Sequence, residues 1–395
     1  MPAPTRTHVS DLRGISRMAF DASVGIAHIV EQMHRTVQRV RLPLGKPTTD
    51  RPGGITGFVY RSVRGGLTLV GKGIDASLAP VTAMLPDGES TPGRDAFLSA
   101  VNGVYGDYLA RTGNPLAIET RLRYRGRDVA LEDPAAAFGA SGEPAPTGKL
   151  LVLVHGLCLN DRQWTRNGHD HGKALADELG YTPLYLRYNT GLHVATNGRA
   201  FADALETLLQ HWPVPVEDLV LLGHSMGGLV ARSACHHADE AGHAWRRHLR
   251  KLVFLGTPHH GAPLERGGHA LDFVMGLSPY SAPFTQIGKQ RSAGITDLRH
   301  GSITRGVHEH VPLPSGVKCY AVAATLGARR DLLGERLIGD GLVPLNSALG
   351  RHATPEHRLR IPEARRWIGY GMGHLELLCR PEVYAQIRGW LQAAD

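Results

Sequence analysis

The segment Val220–Ala231, reading VLLGHSMGGLVA, limits what this chain can fold into more than any other. Leu219–Leu222 is a short apolar run behind the polar Glu217 and Asp218, which suits a strand buried on both faces. Gly223-His224-Ser225-Met226-Gly227 follows, and then Leu229, Val230, Ala234 and Cys235 recur at helical spacing. A strand, one sharp turn and a helix is the setting in which G-x-S-x-G lifts a serine hydroxyl above a sheet edge. The positions two before and two after Ser225 must lack bulk, because strand and helix nearly touch there, and they are Gly223 and Gly227. Gly228 leaves room for close helix packing. A chain with 48 glycines produces the bare pattern by chance, so its weight comes from the flanking strand and helix.

Further strands are expected at Leu150–Val154, Thr182–Tyr188, Lys251–Leu255, Val317–Thr325 and Arg366–Tyr370, with a helix over Thr196–His211. Ala117–Leu131 reads as a hairpin turning near Gly126-Arg127-Asp128, and Gly93–Arg111 as a helix. Strands alternating with helices imply an α/β fold, a doubly wound and mostly parallel sheet. In such sheets the reacting groups gather at the carboxyl ends of the strands.

Before this unit, Ala19, Ala22, Ile26, Ile29, Met33, Val37 and Val40 mark one face of a helix in Ser16–Val40. A second helix is expected over Gly57–Leu85, with Val59, Val63, Leu67, Val70, Ile74, Leu78, Val81 and Leu85 opposite Arg61, Arg64, Thr68, Lys72 and Asp75. Packing against protein is the first reading of these faces. Peripheral contact with a membrane or lipid surface is the second, because the polar stripe is basic, and oligomerisation is the third. The domain boundary is placed near Gly113, giving an N-terminal helical region over 1–112 and the α/β unit over 113–395. Within that unit, Ala262–Pro314 is a long insertion carrying Leu264, Leu271, Phe273, Met275, Tyr280 and Phe284. It reads as a cap over Ser225 or, alternatively, a surface excursion with its own small core.

The formal charge of +8 rests mainly on scattered arginines, and no nucleic-acid motif accompanies it, so no nucleic-acid partner is expected. Cys158, Cys235, Cys319 and Cys379 show no paired spacing, which argues against a disulfide framework or a zinc ribbon. The first twenty residues lack the apolar core of a secretory signal, and no run approaches 18 apolar residues. A cytoplasmic protein, with peripheral membrane contact as the variant, is the expectation. His169-Asp170-His171 and His308-Glu309-His310 each pair two histidines, but with 22 histidines in the chain chance explains both, and no metal is expected.

A serine hydroxyl needs a base to take its proton and an acid to orient that base. His374, after a strand and Gly371-Met372-Gly373, is placed to reach back over the sheet. Asp340, in Gly339-Asp340-Gly341, is the carboxylate candidate; its alternative role is a turn aspartate bonding its own backbone. Asp331 is the rival, in a segment charged with Arg329, Arg330 and Glu335.

HGL at His155–Leu157, GHSMGG at Gly223–Gly228, GTPHHG at Gly256–Gly261, GDGLVP at Gly339–Pro344 and GHLELL at Gly373–Leu378 together resemble the α/β-hydrolase superfamily. The resemblance is greatest to its lipase and esterase branch, including relatives of the GPI inositol deacylases. It covers about two-thirds of the chain and leaves out the first 112 residues. It implies the order Ser225, Asp340, His374 for a catalytic triad. It also implies an oxyanion hole made by the backbone N–H groups of Leu157 and Met226. The single glycine before Leu157 resembles the class that handles medium or long acyl chains. His155, His259 and His260 are expected to pack and to bond loops. The function implied is a serine carboxylic ester hydrolase acting through an acyl-serine on medium or long acyl or polyester-like esters, without cofactor. An acyltransferase or amidase with the same triad, and an inactive binding protein on the same fold, are the alternatives.

Overall fold

The computed structural model describes residues 10–21, 23, 62, 65–70, 72, 74–76, 90–138, 143–262, 292–306, 310–327 and 339–393. The chain divides into two compact units, Met1–Thr91 with Arg111–Leu116, and Pro92–Ala110 with Ala117–Asp395.

In the first unit, residues 10–21 are helical, as are 65–70 and 74–76. Arg13 Nε donates to Asp75 Oδ1 at 2.7 Å, and Arg17 Nη1 to the Gly113 carbonyl at 2.9 Å. Val70 and Ile74 of the apolar stripe are 54% and 37% exposed, so at these positions the stripe is not used as core. The rest of the two helices expected over Ser16–Val40 and Gly57–Leu85 lies outside the described residues. Among the described residues no helix is long and apolar enough to cross a membrane.

The second unit is built on an eight-stranded sheet. Its strands are β1 (Arg121–Tyr124), β2 (Arg127–Asp128), β3 (Lys149–Val154), β4 (Thr182–Arg187), β5 (Asp218–His224), β6 (Leu249–Leu255), β7 (Lys318–Thr325) and β8 (Arg366–Tyr370), in the order β2-β1-β4-β3-β5-β6-β7-β8. From β4 to β8 all pairings are parallel; β1 runs antiparallel to β4 and to β2. Leu150–Val154 and Leu219–Leu222 are entirely buried, as strands covered on both faces must be. The expected hairpin forms, but it turns one residue early, with Arg125 and Gly126 both at positive φ, and its return strand is Arg127–Asp128. The fold class is the one expected: α/β, with helices flanking a mostly parallel sheet.

Helix α1 (Pro92–Arg111), read from sequence as preceding the boundary, packs almost wholly within this second unit. Ser99, Asn102, Gly103 and Gly106 are buried on it together with Leu98, Ala100, Val101 and Leu109. Asn102 Oδ1 accepts from the Ile118 N–H at 2.9 Å, Asn189 Nδ2 donates to the Gly106 carbonyl at 2.9 Å, and Ser292 Oγ donates to the Gly103 carbonyl at 2.7 Å. A Cβ at Gly103 would lie 2.1 Å from Cys158 Sγ, so only glycine lets the helix approach the loop after β3. The helix is also tied down by charge. Asp95 is buried against Arg162 at 2.8 Å and Arg187 at 3.2 Å.

Beside it, Arg123 of β1 holds the buried Asp161 through Nη1, at 2.9 Å and 3.1 Å to the two carboxylate oxygens. Burial pushes the Asp161 carboxyl upward, while Arg123 and Arg187 pull it down. Removing Arg123 leaves the buried Asp161 without its hydrogen-bonded counterion and with only Arg187 to compensate it. Arg123→Met should therefore cost about 3–5 kcal/mol, read as a lower urea midpoint at unchanged m. An unchanged midpoint would show that Asp161 finds its compensation elsewhere.

Candidate active site

Past α2 (His171–Leu179) and α3 (Val194–Gln210), strand β5 delivers Ser225 to the sheet's carboxyl edge, where helix α4 (Met226–Ala241) begins. Ser225 sits at φ 54°, ψ −124°, a conformation that L-residues avoid. The turn is closed by two near-contacts. A Cβ on Gly227 would stand 2.0 Å from the Val154 carbonyl oxygen, and one on Gly223 2.6 Å from the Gly228 backbone. The Ser225 N–H extends the β5–β6 ladder by donating to the Leu255 carbonyl at 2.8 Å.

The structure brings Asp340 and His374 together: Nδ1 of His374 lies 2.6 Å from Asp340 Oδ2, with both side chains buried. The carboxylate accepts, so Nδ1 carries the proton and Nε2 is the free acceptor of the neutral ring. That Nε2 is buried and has no hydrogen-bond partner among the described residues. Asp340 Oδ1 meanwhile accepts from the N–H groups of Leu342 at 3.0 Å and Val343 at 2.8 Å. The turn role and the histidine contact, set out above as alternatives, coexist on the two oxygens of one carboxylate. The His374 N–H returns a bond to the Asp340 carbonyl at 3.1 Å. Asp331 lies outside the described residues.

Ser225 borders the loop after β3, and His374 the loop after β6. The α-carbon of Gly156 faces the Ser225 Cβ, and that of Gly256 faces the His374 ring. Leu157, just after Gly156, and Met226, first residue of α4, are buried, and their N–H groups meet no acceptor among the described residues. Two buried, unpartnered donors are uncommon in a folded chain, and these border the serine turn.

Sequence reasoning missed two supports. His224, the residue before the serine, is buried with its ring 4.7 Å from that of His374, and its Nε2 donates to the His374 carbonyl at 3.2 Å. Burial holds it well below the usual histidine range, so it is a neutral prop. Its place between G and S in the motif was a signal, but the motif leaves that position open. The second support is Cys158, at φ 58° and buried, which seats the loop of Leu157 under α1.

His155 stacks on Tyr188 at 4.4 Å, and its carbonyl accepts from the Tyr188 hydroxyl at 2.7 Å. His169 Nε2 lies 2.8 Å from His171 Nδ1, and His171 Nε2 donates to the Leu377 carbonyl, so this pair is engaged internally. His308 and Glu309 are outside the described residues, as is 263–291, most of the insertion expected to cap the serine. Its described end, helix α5 (Ala293–His300), is tied to the loop after β4: the Gly294 N–H bonds the Gly191 carbonyl, and Asp297 Oδ2 accepts from the Val194 N–H. A cavity of about 840 Å³ lined by Tyr124, Arg125, Asp161, Asp170 and Tyr185 contains none of Ser225, Asp340 or His374.

A mostly parallel sheet in this order, with a serine on a strand-to-helix turn, is an α/β-hydrolase-like fold. Residues 145–319 match the profile of the PGAP1-like alpha/beta domain, the stretch that carries the HGL, GHSMGG and GTPHHG segments. No curated protein matches the chain. Among solved structures it is similar to the mature lipase BlEst2 of Bacillus licheniformis, at 18% identity over 65% of this chain and 97% of that one, with a TM-score of 0.43. It is also similar to a thermophilic esterase of Thermogutta terrifontis, at 18% identity over 65% and 96%, TM-score 0.38. The RedJ thioesterase of Streptomyces coelicolor is a third, at 18% identity over 64% and 94%, TM-score 0.37.

Burial holds His155 and His171 down at about 4, against 6.5 for a free histidine. Above pH 6.5 both are neutral in the folded and unfolded chain and stability is intact. As pH falls from 6.5 towards 4 the unfolded chain takes up protons that the folded one refuses. Stability should then drop by on the order of 3 kcal/mol per histidine. Urea midpoints from pH 7.5 down to 4 test this, and a smaller decline is expected in His171→Gln. A flat profile would contradict it.

Proposed function

We propose that the chain is a serine carboxylic ester hydrolase working through an acyl-serine intermediate. Ser225 Oγ attacks the ester carbonyl while His374 Nε2 takes its proton. The N–H groups of Leu157 and Met226 stabilise the oxyanion as it forms. The imidazolium then protonates the leaving alcohol, and the neutral ring activates water to release the acid. Asp340 keeps the proton on Nδ1 and stabilises the charged ring. The observation that supports this best is the free Nε2 of His374, fixed by a 2.6 Å bond from Nδ1 to Asp340, in a ring 4.7 Å from that of His224, the residue before a serine held at positive φ.

Residues 262–314 are proposed as a cap whose apolar side chains receive a medium or long acyl chain or a polyester segment. The region 1–91 is proposed to make peripheral contact with lipid surfaces, in keeping with the exposed Val70 and Ile74.

Ser225→Ala should lower aryl ester turnover by roughly 10⁴–10⁶-fold without loss of fold. Asp340→Asn should lower it by about 10⁴-fold by fixing the wrong tautomer, whereas Asp331→Asn should leave it near wild type. Activity within tenfold of wild type in Ser225→Ala would sink the reading, and the reverse ranking of the two aspartates would reassign the acid.

A chain begun at Ser90 keeps α1 and should still cleave a soluble aryl ester. It should lose rate on emulsified ester and bind anionic vesicles less at low salt. Salt should erase the difference, since charge attraction is screened over about 8 Å at physiological ionic strength. Precipitation of the shortened chain would assign the N-terminal apolar stripes to protein packing instead.

A further inference from the structure

Helix α4, seven residues beyond Ser225 and so about 10 Å along its axis, carries Arg232. This arginine is 5% exposed. A buried guanidinium is ordinarily matched by a carboxylate, but among the described residues none lies within salt-bridge reach of it. Its Nη2 donates to the Val311 carbonyl at 2.7 Å, and its Nη1 points to His259 Nδ1 at 3.4 Å. Its Nε is buried with no partner.

The histidine contact fixes a tautomer. An arginine only donates, so His259 Nδ1 accepts, and the ring proton must sit on Nε2. That Nε2–H is also buried and unpartnered, as is the Nε2 of His260. From His260 the histidines continue ring to ring: His352 at 4.9 Å, His357 at 5.0 Å beyond it, and His310 stacked on His357 at 5.7 Å. These six side chains line a cavity of about 280 Å³ that has no aspartate or glutamate among its described lining residues. Among the described residues no group of histidines, cysteines and acids is arranged to hold a metal ion. Neutral rings crowded round a cation with no carboxylate among the described residues are what burial and mutual repulsion enforce, and both His259 and His260 are held below the usual histidine range, burial being the larger cause.

We propose that this cavity binds a phosphate-class oxyanion. The anion would supply the missing counterion for Arg232 and the acceptors for Nε of Arg232 and Nε2 of His259, while His260 would turn to it as a donor on taking up a proton. A volume near the lower end of ligand pockets, about 300 Å³, suits a compact tetrahedral group rather than a long acyl chain. The inference stands apart from the ester hydrolase reading, because none of its residues belongs to the Ser225, Asp340 and His374 set.

The test is titration of the full-length protein with inorganic phosphate, followed by calorimetry and by the rise in Tm that binding to the folded state produces. One saturable site per chain is expected. Arg232→Met and His260→Asn should each weaken phosphate by about 10- to 100-fold, the range for losing a charged hydrogen-bond partner. Glycerol 3-phosphate in a parallel titration separates the sources. Tighter binding of the ester means a phosphate carried on a larger molecule such as a lipid headgroup, and weaker or equal binding means free phosphate. Should Arg232→Met fail to fold, His260→Asn decides. The absence of saturable binding by wild type, or an unchanged Kd in the folded variants, would overturn the proposal.

Discussion

The second unit is organised around the contact between the start of α4 and the end of β3, at Gly227 and the Val154 carbonyl. Without a Cβ at Gly227 the helix can begin directly against the strand. That approach forces Ser225 into a backbone conformation costing on the order of 1–3 kcal/mol. Strand burial on both faces and the bond from Ser225 N–H to Leu255 hold the strain in place. In the proposed reaction this would hold the serine backbone at the sheet's edge before an ester arrives.

Around that point the loops support each other through backbone carbonyls as much as through side chains. His374 is held three ways, by Asp340 on its ring, by the Asp340 carbonyl on its N–H, and by His224 on its own carbonyl. Asp340 in turn is fixed by two N–H groups of its own turn. Such over-determination keeps both residues buried without leaving the carboxylate unsatisfied. On the other side, α1 closes over the loop of Leu157 and Cys158, with Gly103 as the point of contact.

Much of this was legible in the sequence because it is local. The elbow and the apolar runs that became β3 to β8 follow from periodicity and turn residues, and the helix over Pro92–Arg111 from the Gly113-Asn114-Pro115 that closes it, with ends displaced by one or two positions. Asp340 and His374 were legible as candidates because each follows a strand in a glycine-rich turn. The assignment of α1 to the second unit was not legible. Its buried positions mix Ser99, Asn102, Gly103 and Gly106 with Leu98, Ala100, Val101 and Leu109, and such a mixture has no hydrophobic period to read. The same holds for the pairing of Arg123 with Asp161, which are 38 residues apart. The histidine cavity shows the limit most clearly. Spacing drew attention to histidines two apart in sequence, whereas the cavity collects 259–260, 310, 352 and 357 from separate loops, and only the fold brings them together.

Ser225 is proposed as the nucleophile of an acyl-transfer site. The most direct measurement is reaction of the full-length protein with a fluorophosphonate, with the adduct located by peptide mass spectrometry. One adduct per chain on Ser225 is expected, forming much more slowly when His374 is replaced by alanine, since the base activates the hydroxyl. An adduct on another residue, or none at all on a folded chain, would contradict the claim.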